Sequence, residues 1–127
     1  MRLLLDTTVL VDVLCSRKDR RKFLQEAVLA GHTLTTTTLN IAEIYAGIRP
    51  GEEIKTETLL QNLESFEITG ATARLGGKLK NVWSKKGRTL ALFDMIVAAT
   101  AIEHGCMLLT DNRKDFPMPE IRLWPLP

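Results

Sequence analysis

The chain has 127 residues, 45% hydrophobic and 25% charged, enough to bury one real core and too few for two, so a single domain over 1–127 is expected. A formal charge of +2 does not by itself announce a nucleic-acid binder. Cys15 and Cys106 suffice for neither a disulfide framework nor a zinc cluster and read as buried thiols, while the absence of any membrane-length apolar run or secretory signal points to a cytoplasmic protein with no membrane partner.

The chain opens MRLLLDTTVLVDVL, in which Leu3 to Leu5 read as a buried strand, followed at once by Asp6 and by Thr7 and Thr8. A helix can begin within Thr8 to Leu14, and a second, Arg21 to Leu29, has Phe23, Leu24, Ala27 and Val28 on one face and Gly31 as its stop. His32 to Thr37 is a Thr-rich second strand. Leu39 to Ile48 follows as a helix with Ile41, Ile44, Tyr45 and Ile48 along one stripe, ended by Pro50-Gly51. A polar helix from about Glu53 to Ser65 leads to a third strand, Phe66 to Thr69. Ala71 to Lys85 is helical, with Gly76-Gly77 a weak point inside it unless something packs closely there. Asp94 to His104 is apolar nearly all round, which marks a helix buried between layers. Cys106 to Leu109 is a fourth strand and Ile121 to Trp124 a possible fifth. Strands alternating with helices give an α/β three-layer sandwich with a mostly parallel central sheet of four to five strands.

In an open parallel sheet, ligands sit beyond the carboxyl ends of the strands. The first strand delivers Asp6 and Thr8 there, the helix after the second carries Glu43, the fourth leads to Thr110, Asp111 and Asn112, and Asp94 starts the buried helix at the same edge. Two carboxylates about 4 Å apart repel by roughly 4 kcal/mol at an effective dielectric of about 20, so a cluster of acids calls for a cation. Oxygen-only ligands select a hard ion, Mg2+ or Mn2+. Asp6 and Asp94 also suit helix caps, and Asp12 reads as a solvated or capping group. His32 and His104 read as structural or exposed. The basic runs Arg17 to Lys22 and Lys78 to Arg88 read as solvated helix faces able to neutralise phosphates around an acidic cleft.

Four stretches, LLLDTTVLVDVL, NIAEIYAGI, LALFDMIVAATAIEHG and LLTDNRKDFP, resemble the four motifs of PIN-domain proteins, specifically the small toxins of VapC type, in order and over nearly the whole chain. The resemblance implies a metal-dependent endoribonuclease acting on single-stranded or loop RNA, with Mg2+ or Mn2+ as cofactor. It also implies a first strand in the middle of a parallel sheet, a homodimer, and a small cognate antitoxin that blocks the site. It matches Asp6, Glu43 and Asp94 to the family's metal-site acids and Thr8 and Thr110 to supporting hydroxyls. In the fourth motif Asn112 matches by alignment, Asp111 is the local alternative, and Asp115 is a third candidate. Water would be the nucleophile, leaving a 5′-phosphate. A haloacid-dehalogenase-type phosphatase would need an acid where Thr8 stands, and a phospho-receiver would need paired acids ending the first strand. A PIN fold that binds RNA or a partner without cutting is the remaining alternative.

Overall fold

The computed structural model describes residues 1–127. Strand β1 (Arg2–Leu5) is followed by helices α1 (Thr7–Leu14) and α2 (Arg20–Leu29), then by β2 (Thr33–Thr37), α3 (Thr38–Ala46) and α4 (Glu53–Gln61). Next come β3 (Glu64–Phe66), α5 (Gly70–Lys85), α6 (Leu92–His104), β4 (Met107–Leu109) and a short 3-10 turn, Arg113–Asp115. The four strands are all parallel in the order β3-β2-β1-β4, with β1 hydrogen-bonded on both sides. The crossovers place helices on both faces, so alternate residues of one strand feed different cores. Leu4 and Leu108 pack with Met95, Val97 and Phe116 on one side, whereas Leu3, Leu5 and Leu109 pack with Val9, Leu10 and Leu24 on the other. This is why Leu3, Leu4 and Leu5, an unbroken apolar run, are all fully buried.

Helix α6 lies between the sheet and α5, with Val97, Ala98, Ala99 and Thr100 buried. The glycine pair of α5 has a packing reason at one position only. A Cβ on Gly76 would stand 3.0 Å from Ile96 Cγ1 and 3.1 Å from its Cα, whereas one on Gly77 would meet nothing within 4 Å. Gly76 therefore sets how closely α5 approaches α6.

Several boundaries differ from the sequence expectation. The third strand lies at Glu64–Phe66, not Phe66 to Thr69, and α4 stops at Gln61. Thr69 is the N-cap of α5, its hydroxyl accepting from Thr72 N at 3.2 Å, which takes the residues before it out of the ladder. Thr37 caps α3 in the same way, accepting from Asn40 N at 3.1 Å, and α3 ends at Ala46, before Ile48. The possible fifth strand, Ile121 to Trp124, is present as a single parallel bridge, Leu108 to Leu123, beside β4, within the expected four to five strands. Cys106 is buried but Cys15 is exposed, at the end of α1. His32 packs edge-on against Trp124 and His104 stacks on Phe66, both away from the acids.

Candidate active site

Asp6 stands at the carboxyl end of the central strand, where its backbone N–H extends the ladder to Leu109 O at 3.0 Å. It is also the N-cap of α1, so the cap reading and the acid-cluster reading meet in one residue. Its side chain is 3% exposed and fully engaged. Oδ1 accepts from Thr7 N at 2.9 Å and from Asn40 Nδ2 at 3.5 Å, and Oδ2 accepts from the Thr110 hydroxyl at 2.8 Å. Burial raises the Asp6 pKa, and Glu43 adds to the rise, against the hydrogen bonds from Thr110, Thr7 and Asn40 that favour the charged form.

Asn40, fully buried on α3, joins the site although the sequence offers it only as a neighbour of Glu43 on the same side of the helix. Its Nδ2 donates to Thr7 Oγ1 at 2.9 Å and its Oδ1 accepts from the Thr37 hydroxyl at 2.6 Å, so it ties the start of α1 to the end of β2. Its place three residues before Glu43, on one helix face, was the available signal.

Asp94 is not a cap. Ala91 holds that position, and Asp94 lies inside the first turn of α6. Its pKa is pushed up to about 6, first by burial and then by the charges of Asp6, Asp115 and Glu43. Four carboxylates from β1, α3, α6 and the turn after β4 thus share one electrostatic field. Glu43 is exposed on its helix and Asp115 is half-buried.

The fourth-motif segment separates its candidates. Thr110 is buried, donating to Asp6 while accepting from Asn112 N at 3.0 Å, and the Asn112 side chain is exposed. Asp111 points to a different neighbourhood, pairing with Arg20 Nη2 at 2.7 Å and Lys18 Nζ at 3.4 Å. Burial works against the Asp111 charge, but the hydrogen bonds and charges of Arg20 and Lys18 hold its pKa below the usual carboxylate range. Asp12, expected to be solvated or capping, is buried inside α1 beside the same two cations, with Lys18 Nζ at 3.7 Å and Arg20 Nε at 3.8 Å. Arg20, expected on a solvated face, is itself 1% exposed.

The donor set suits a hard cation. It is made of oxygens only, two of its acids have raised pKa values, and the buried Arg20 and its neighbour Lys18 are engaged by Asp111 and Asp12 instead. The Thr8 hydroxyl is buried without a hydrogen-bond partner, an oxygen available to a further ligand. No three His, Cys, Asp or Glu side chains are gathered as a closed set of ion ligands, so the acids share a field without forming a coordination shell.

The chain resembles known proteins over nearly its whole length. The profile of the PIN domain family matches residues 3–118. Ribonuclease VapC19 of Mycobacterium tuberculosis is 32% identical over 115 residues, covering 91% of this chain and 92% of that protein. Among solved structures, VapBC2 from Rickettsia felis bound to a promoter DNA fragment superposes with a TM-score of 0.87 at 21% identity, over 98% of each chain. A toxin-antitoxin complex from Klebsiella pneumoniae superposes with a TM-score of 0.78 at 25% identity, over 94% of each chain.

Proposed function

The chain belongs to the PIN domain family, and from that premise we propose that it is a divalent-metal-dependent endoribonuclease, the toxin of a toxin–antitoxin pair, hydrolysing phosphodiester bonds of single-stranded or loop RNA in the cytoplasm. The observation that carries the reading is the acid field at the carboxyl edge of the sheet, where Asp94 is held at about 6 by burial and by Asp6, Asp115 and Glu43. Fixed negative charge of this density is costly unless a cation compensates it.

Asp6 and Asp94, with Glu43, would hold Mg2+ or Mn2+, and Thr8, Asn112 and Asp115 would complete the surroundings. A bound ion supplies Lewis acidity toward the phosphoryl oxygens and lowers the pKa of water. The side chains do the positioning. Thr110 and Asn40 fix both Asp6 oxygens, so this carboxylate is oriented before any ligand arrives. Exposed Glu43 stands at the rim, where it can take the proton released by an attacking water. The water oxygen forms the new bond to phosphorus and the P–O3′ bond breaks, giving a 5′-phosphate and a 3′-hydroxyl. The test is cleavage of a single-stranded RNA oligonucleotide with Mn2+, followed by analysis of its ends. A 2′,3′-cyclic phosphate would overturn the hydrolytic mechanism, and binding without cleavage would favour the non-cutting alternative.

For the partner, the relevant surface is an apolar groove of about 840 Å3 between α2 and α4, lined by Leu24, Val28, Leu29, Ile54, Leu59 and Leu63. Leu29 is 86% and Ile54 82% exposed there, and Arg21 and Lys55 edge the groove. Apolar walls with basic edges suit an amphipathic helix with acidic flanks, which we assign to the antitoxin. Leu29→Glu should then abolish antitoxin binding and leave cleavage intact. The family resemblance supports assembly as a homodimer, with light scattering of the purified protein as its check.

A further inference from the structure

Arg20 is the largest fully buried side chain in the molecule. It opens α2 and lies between Asp111, 2.7 Å from Nη2, and Asp12, 3.8 Å from Nε, while its Nε and Nη1 and the Asp12 Oδ2 make no hydrogen bond. Lys18 touches the same two acids at 3.4 and 3.7 Å. A buried ion-pair cluster is a poor device for stability alone, because desolvation of the charges offsets their attraction and an apolar filling of equal volume does as well or better. The backbone that delivers these cations is strained too. Ser16, Lys18 and Asp19 have φ of 54°, 56° and 52°, the left-handed region, and none is glycine. Asp19 makes no capping bond to α2. Desolvation and backbone strain are both spent on bringing Lys18 and Arg20 to this one place.

The place matters because Asp111 stands between Thr110, which holds Asp6, and Asn112, whose N–H returns to the Thr110 hydroxyl. We propose that Arg20, supported by Lys18 and Asp12, is a positioning residue: it draws Asp111 away from the acid field and so fixes the Thr110–Asp115 segment with Thr110 on Asp6 and Asp115 beside Asp94. The inference rests on the metal-dependent nuclease reading and deepens it, because it says which of the two acids in the last motif joins the site and what enforces the choice. With the Arg20 anchor removed, the segment loses its tether to α1 and α2, and the unpaired Asp111 carboxylate adds to the charge the site must hold.

The test compares Arg20→Met, Arg20→Lys, Asp111→Asn and the double variant Arg20→Met/Asp111→Asn with the parent. Three quantities are read: Mn2+ affinity by calorimetry, amide hydrogen exchange over residues 110–115, and kcat and KM on single-stranded RNA. Loss of an outer partner to a metal site lowers affinity or activity by about 10- to 100-fold. Arg20→Met should therefore raise the Mn2+ Kd by at least about tenfold, speed exchange at 111–115, and lower kcat with little change in KM. Arg20→Lys should recover part of each effect. The double variant should be no worse than the more damaged single one, as expected for two residues acting through one contact. Unchanged Mn2+ affinity and exchange in a folded Arg20→Met protein would overturn the proposal and leave the cluster purely structural. A salt-dependent rise in KM at constant kcat would also overturn it, in favour of direct phosphate contact. If Arg20→Met does not fold, the exposed Asp111→Asn change carries the same comparison. If the parent itself does not cut RNA, the nuclease reading fails, while Mn2+ affinity and exchange still judge the role of Arg20.

Discussion

Thr110 and Asp6 leave adjacent parallel strands at the same edge, and the Thr110 hydroxyl donates to Asp6 Oδ2 at 2.8 Å inside the protein. A hydrogen bond to a charged group contributes about 1.5–3 kcal/mol. Thr110→Val keeps the shape and removes the donor, so Mn2+ affinity should fall by at least about tenfold. Calorimetric titration of the purified variant checks this, and an unchanged Kd would mean that Thr110 serves only the strand end.

Asp6→Asn removes the charge and keeps an acceptor for Thr7 N. Metal-ion catalysis contributes several kcal/mol of transition-state stabilisation, so cleavage of RNA should fall by at least about a hundredfold. Because burial already opposes the Asp6 charge, the thermal midpoint of the metal-free variant should stay level or rise. A fully active variant would make the acid edge structural.

Asp94 gives a pH dependence with a definite sign. Its pKa rises from 3.8 to about 6 on folding, so near pH 5 the folded protein holds a proton that the unfolded chain has released. The stabilisation is complete below 3.8 and is lost as pH rises through about 6. Thermal midpoints in chelator should decline across that window, and Asp94→Asn should remove this part of the slope. Mn2+ should raise the midpoint most at the upper end, where the carboxylates are charged and the ion binds only the folded state.

Asn40 joins Thr37, Thr7 and Asp6 in one buried chain of hydrogen bonds. Asn40→Ala leaves the Thr37 and Thr7 hydroxyls short of a partner, at a cost of about 1–3 kcal/mol. Urea unfolding should show a lower midpoint with an unchanged m-value. Mn2+ affinity should drop as well, because Asp6 Oδ1 loses one of its donors.

The glycine pair makes an internal control. Gly76→Ala pushes a methyl group against the Ile96 side chain and backbone, at 3.0 to 3.2 Å, and overpacking of this kind costs about 1–3 kcal/mol. Since α6 carries Asp94, cleavage should fall with stability. Gly77→Ala meets nothing within 4 Å and should stabilise by about 0.5–1 kcal/mol, both read by urea denaturation.

Apolar patterning made the architecture legible: Leu3 to Leu5 read as a buried strand, and the apolar girdle of Asp94 to His104 marked a helix buried between layers. The ends of those elements pointed to Asp6, Asp94 and Thr110. What stayed hidden depended on partners distant in the chain. Asp12 looks like any solvated helical acid until Arg20 and Lys18 turn back on it, and Asp111 cannot be told from Asp115 before Arg20 is seen to hold it. Asn40 showed only as a residue on the same helix side as Glu43, because an amide gains meaning only from the three residues it joins. The third strand was misplaced because Thr69 favours both a strand and a helix cap, and the cap bond to Thr72 decided the contest.

The bridge between Leu108 and Leu123 also settles where the sheet can stop growing. Leu108 donates to Arg122 O at 2.8 Å and accepts from Trp124 N at 2.9 Å, so the outward-facing groups of β4 at that residue are already spent. The segment that spends them is punctuated by Pro117, Pro119, Pro125 and Pro127, none of which can donate to a further strand. At the opposite margin β3 is only three residues long. A protein whose core is a stack of parallel, β-favouring runs would otherwise invite edge-to-edge polymerisation, and a prolyl selvedge on one side with a short margin on the other keeps its sheet from templating its neighbours.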